Sequence, residues 1–107
     1  LDDQEIKQLF RGRRLPRLTG KSCRSLVALL DDIHAVRKQG YATDNEETRD
    51  GMCCIGVPIG DPAGGPALAA VAVSMLKGTG TPRKREQVVA TLLELAQMLA
   101  HPLKLLR

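Results

Sequence analysis

The stretch 52–76, MCCIGVPIGDPAGGPALAAVAVSML, decides the fold class. Two apolar runs, Met52 to Ile59 and Ala67 to Leu76, flank residues 60–66 (GDPAGGP), which are dense in turn formers. This pattern predicts two antiparallel strands joined by a long loop. Side chains alternate faces along a strand. Cys53, Ile55, Val57 and Ile59 therefore make the bulky face of the first strand, and Cys54, Gly56 and Pro58 its small face. In the second strand Val71, Val73 and Met75 oppose Ala70, Ala72 and Ser74, with Leu68 at the edge of the small face. If the two small faces align, one side of the sheet becomes a shallow wall of Cys54, Gly56, Ala72 and Ser74. Two readings of that wall stand side by side. Small side chains let a helix approach closely, as in helix-covered sheets. They equally leave volume for a ligand, with a thiol and a hydroxyl as its polar contacts.

Working upstream, residues 45–51 (NEETRDG) read as a polar loop and Tyr41 to Asp44 as a short strand. Before them, Leu26, Leu29, Leu30, Ile33 and Val36 recur at helical spacing, with Ser22 or Ser25 as the cap and Gly40 as the stop. Residues 2–10 predict a short helix capped by Asp2 or Asp3, with Ile6, Leu9 and Phe10 on one face and Gly12 at its end. A connector containing Arg11, Arg13, Arg14, Arg17 and Pro16 links the two helices. Downstream, Thr81 and Pro82 open a last helix. Its buried face is Val88, Leu92, Leu95, Ala96, Leu99 and Leu103, and Pro102 is expected to kink or end it.

The 107 residues fit one domain. Phe10 and Tyr41 are the only aromatics, so the core is aliphatic, and their scarcity argues against base-stacking recognition of single-stranded nucleic acid. The net charge of +4 is concentrated in the arginine connector, which reads either as a phosphate contact or as a solvated linker. Three cysteines, two of them adjacent, make no disulfide framework and point to a reducing cytoplasm. No apolar run reaches the roughly 18 residues that a membrane span needs. The chain begins with Leu1, as a cut or processed product would. Cys53 and Cys54 lack the further ligands a metal needs, because His34 and His101 are isolated and no C-x-x-C is present. No base or oxyanion motif accompanies either thiol, which argues against a cysteine enzyme. The glycines of 60–66 do not cradle a phosphate, since a strand and not a helix follows them.

The run 40–61, GYATDNEETRDGMCCIGVPIGD, resembles the signature of IclR-type bacterial transcriptional regulators. The matching positions are Gly40, Asp44, Glu47, Cys54, Ile55, Gly56, Ile59 and Asp61. Gly60 departs, since the family usually has an aromatic residue or His there. The flanks agree as well, from the basic-Leu-Pro segment to the Thr81-Pro82 helix start, so the resemblance covers nearly the whole chain.

The resemblance implies an α/β (α+β) fold of GAF-like or profilin-like type, an antiparallel sheet flanked by helices. Residues 1–107 would be the C-terminal portion of an effector-binding domain, incomplete at its N-terminal side, with the winged helix-turn-helix absent from this chain. It implies a non-enzymatic sensor whose pocket positions fall on Asp44, Cys54, Ala72 and Ser74, with no cofactor or metal. Ala72 stands where the family often has a second hydroxyl, which favours a less polar or aromatic acid over a two-carbon one. The implied partners are a small organic or aromatic acid, further copies of the chain as a dimer or tetramer, and DNA only through the missing N-terminal domain. A cytoplasmic location without membrane contact follows. The rival expectations are an oligomerisation module without ligand and, further off, a cysteine-dependent enzyme.

Overall fold

The computed structural model describes residues 1–60 and 65–104, with side-chain surroundings up to residue 101. The elements run α1 (Asp3–Leu9), α2 (Leu26–Gln39), β1 (Ala42–Asn45), β2 (Met52–Ile59), β3 (Ala69–Leu76) and α3 (Pro82–Lys104). This is the expected α+β arrangement of an antiparallel sheet with helices.

Local chemistry explains the helix ends. The Asp2 carboxylate accepts from the Glu5 N–H while Glu5 reaches back to the Asp2 N–H, closing a capping box on α1. Of the two serines expected to cap α2, Ser25 does so, accepting from the Ala28 N–H at 3.1 Å. Gly40 ends α2 at φ 88°, a left-handed conformation that a side chain would strain. The Thr81 hydroxyl accepts from the Lys84 N–H at 3.2 Å, and Pro82 occupies the first position of α3, where its missing N–H costs nothing.

The sheet order is β1-β2-β3, with both pairings antiparallel. β2 alternates as the sequence predicts, with Cys53, Ile55, Val57 and Ile59 all buried. α3 lies across that face. Leu92 and Ala96 join Ile55, Val57 and Ile59 in the core, with Val71, Val73, Met75, Val88, Val89 and Leu99 around them. Fully burying one such aliphatic side chain contributes roughly 1.5–3 kcal/mol, so this layer dominates the stability of the sheet–helix unit.

Four details differ from the expectations. β1 is shifted by one residue, beginning at Ala42 and including Asn45, because Asn45 still pairs with Cys53. β3 starts at Ala69 and not Ala67, where its pairing with Ile59 begins. α1 buries Ile6, whereas Leu9 stays 56% exposed, because seven residues are too short to hold a continuous stripe against a neighbour. α3 continues through Pro102 to Lys104 without ending there. A proline forfeits one backbone hydrogen bond, which a long helix already packed on a sheet absorbs. The Leu103 side chain and the Asp61 end of the signature lie outside the described residues.

Candidate functional site

The strand register decides whether the small faces meet, and they do. Cys54 pairs with Ser74 and Gly56 with Ala72 across β2 and β3. On the other side Asp44 pairs with Cys54. One row of the sheet therefore carries Asp44, Cys54 and Ser74, with Gly56 and Ala72 in the next row on the same face. The Cys54 thiol and the Ser74 hydroxyl are 3.1 Å apart and hydrogen-bond each other.

α3 packs on the opposite, bulky face. Ala72 and Ser74 are exposed. A Cβ placed on Gly56 would find only the Ala72 Cβ, at an ordinary 3.8 Å. Among the described residues, no helix covers this wall.

Asp44 reaches the row in register, but its carboxylate is committed to its own loop. One oxygen accepts from the Glu47 N–H at 2.8 Å and the other from the Thr48 hydroxyl at 2.9 Å. An Asp commonly organises nearby backbone in this way. Both donors come from the loop that follows Asp44. Glu47, the other signature acid, accepts from the Asn45 N–H at 2.9 Å and so braces the same turn.

The residue that sequence reasoning missed is Glu46. It is buried and takes φ 56°, uncommon for a residue with a side chain. Its carboxylate accepts from the Lys21 ammonium, from the Lys77 ammonium at 3.0 Å and from the Gly51 N–H at 3.0 Å. The hydrogen bond from Lys21, then those from Gly51 and Lys77, hold its carboxyl down at about 2. Its partners lie far along the chain, so no local pattern signals it. Ser22, considered above as a helix cap, belongs to the same cluster. Its hydroxyl donates to the Glu47 carbonyl and accepts from the Leu18 and Thr19 N–H groups.

The Cys53 thiol lies on the helix side of the sheet, 3.6 Å from Asn45 Oδ1. His34 hydrogen-bonds Asp3 at 2.6 Å and not a thiol. Among the described residues, no group of three or more His, Cys, Asp or Glu is placed to hold a metal. A cavity of about 270 Å³ opens on the helix side, between β1 and the start of α3, at Tyr41, Thr43, Asn45, Arg85 and Val89. It touches the strands at Asp44 and Cys54 but lies mainly against helix-facing positions, behind the wall. Arg11, Arg13, Arg14 and Arg17 are exposed, and among the described residues none of them makes an ion pair.

Comparison with known proteins gives the class. Residues 1–101 match the family model of the bacterial transcriptional regulator IclR C-terminal domain, and the chain belongs to that family. It is 43% identical over 70 residues to the HTH-type transcriptional regulator BhcR of Paracoccus denitrificans, covering 65% of this chain and 25% of that protein. It is 43% identical over 60 residues to the HTH-type transcriptional regulator KdgR of Escherichia coli, covering 56% of this chain and 23% of that protein. The chain thus spans about a quarter of the length of these relatives. In three dimensions it superposes on the crystal structure of the C-terminal domain of the E. coli regulator KdgR with a TM-score of 0.86 at 32% identity, covering 96% of this chain and 62% of that one. It superposes on a double mutant of the Acinetobacter PobR inducer binding domain, in complex with 3-hydroxybenzoic acid, with a TM-score of 0.84 at 26% identity, covering 94% and 57%. The named relatives are transcriptional regulators, not enzymes. Among the described residues, no helix is long and apolar enough to cross a membrane.

Proposed function

We propose that this chain is the C-terminal portion of the effector-sensing domain of a cytoplasmic transcriptional regulator. A small organic or aromatic acid binds on the wall formed by Cys54, Ala72 and Ser74, with Asp44 setting the loop beside it. The observation that carries this reading is the aligned, uncovered small face with its thiol–hydroxyl pair 3.1 Å apart. An apolar surface of small side chains with a few placed polar groups suits a small metabolite. The bound aromatic acid named for PobR supports the same ligand class. Ala72 removes one hydroxyl from the wall and favours an aromatic or less polar acid over a two-carbon one.

The chain performs no chemistry in this role. Ligand binding favours one arrangement of the effector domains, and an N-terminal DNA-binding domain beyond this chain reads that shift on its operator. Assembly into dimers or tetramers through the effector domains would pair those DNA-binding domains.

The test is thermal unfolding of the complete regulator against a panel of aliphatic and aromatic carboxylic acids. A ligand at 100 times its Kd stabilises by about 2.7 kcal/mol, a readily measured rise in Tm. If no acid raises Tm and none alters operator affinity, the sensing role is wrong and the oligomerisation module replaces it.

A further inference from the structure

The apolar layer between the sheet and α3 contains residues of β2, β3 and α3 with Tyr41 beside them, and none from α1 or α2, whose buried Ile6 and Leu30 lie outside it. The two N-terminal helices are tied to each other by Asp3, which pairs with His34 and Arg37, and make one unit outside that layer. The chain joins that unit to the sheet at Gly40, whose left-handed φ of 88° is a natural pivot. Gln39 of α2 donates to the Tyr41 carbonyl at 2.8 Å across this joint, and a set of polar ties from residues 19–22 converges on one turn. Thr19 donates its hydroxyl proton to the Glu46 carbonyl, Ser22 to the Glu47 carbonyl, and Lys21 pairs with the Glu46 carboxylate. From the sheet side, Lys77 at the end of β3 and the Gly51 N–H hold the same carboxylate. Ser22 and Glu46 are the two buried polar residues among those described, and both belong to this knot. Buried polar groups of this kind are stable only while all partners stay in place.

We infer that the knot centred on Glu46 is a latch. Closed, it fixes the direction in which α1 and α2 leave the sheet; open, it frees them to turn about Gly40. The latch lies two residues from Asp44, in the turn that the Asp44 carboxylate organises. It stands on its own hydrogen bonds and does not depend on the wall's binding a ligand.

Hydrogen exchange and single-molecule FRET on the complete regulator test this, with Glu46→Gln and, as a milder variant should that one fail to fold, Lys21→Met. Fluorophores are placed at exposed Asp31 on α2 and Gln97 on α3. The expected result is amide exchange about tenfold faster in residues 18–30 and in the 46–51 turn, with β2 and α3 unchanged and the FRET distribution broadened. Faster exchange spread evenly through β2 and α3 would overturn the latch, because Glu46 would then support the fold as a whole. An unchanged FRET distribution in both variants would overturn it equally.

Discussion

The sulfur of Cys54 and the hydroxyl oxygen of Ser74 sit 3.1 Å apart across neighbouring strands, on the sheet face that α3 does not cover. One of the two donates to the other. If the proposed acid binds here, its carboxylate would accept from both the thiol and the hydroxyl, exchanging their one mutual hydrogen bond for two.

Replacing Ser74 with Ala removes one of those donors. Loss of a hydrogen bond to a charged group costs about 1.5–3 kcal/mol, so effector affinity should fall by about 10- to 100-fold. Ser74 is exposed, so the Tm of the unliganded protein should hardly move. Calorimetric titration of the complete regulator with its best acid measures the first effect and thermal unfolding the second.

Ala72 faces Gly56 on the same wall. Ala72→Ser adds a hydroxyl there and reduces the free volume. Selectivity is expected to move toward small aliphatic acids and away from aromatic ones, read as a reversal in the rank order of Tm shifts across the acid panel. An unchanged rank order would remove Ala72 from the site.

Asp44 holds its loop through Glu47 and Thr48. Asp44→Ala should destabilise the protein by about 1–3 kcal/mol, because the Glu47 N–H and the Thr48 hydroxyl lose their acceptor. Asp44→Asn keeps one acceptor oxygen and should cost less than half as much. Denaturant titration of both variants separates a loop-building Asp44 from one that acts on ligand alone, for which neither variant would lose stability.

Glu46 makes stability depend on acid. Its carboxyl is lowered from 4.5 to about 2 by Lys21, Gly51 and Lys77. The unfolded chain therefore takes up this proton first as pH falls. The stabilisation is complete above the unfolded value of 4.5 and is lost as pH drops toward 2. Tm should decline across that window, and the decline should be shallower in Glu46→Gln. Equal slopes in the two proteins would count against the ion pairs.

Leu92 is 3% exposed at the centre of the layer between α3 and β2. Leu92→Ala should destabilise the protein by about 2–5 kcal/mol through lost burial and the cavity left behind. Exposed Val27 on α2, replaced by Ala, should change stability by less than about 0.5 kcal/mol in the same unfolding assay.

Much of this was legible in the residues. Alternation from Cys53 to Ile59 fixes which face of β2 is buried, because a strand has a period of two and one face must be apolar. Leu92 and Ala96 were readable as core from helical spacing alone. The resemblance in residues 40–61 located the acid, the thiol and the family. The signals that failed were those that depend on partners. Leu9 fits a helical stripe, yet it remains 56% exposed on a helix of seven residues.

By itself the sequence determined the order of the elements, the two faces of each strand and the IclR class, because these follow from periodicity, capping chemistry and a local motif. Only the tertiary structure decided that the two small faces align, that α3 takes the other side, and that Asp44 is spent on its own loop. It alone drew Lys21, Glu46 and Lys77 together. Strand register and long-range ion pairs depend on how the chain closes on itself, and residues 25 and 31 positions apart carry no local sign that they will meet.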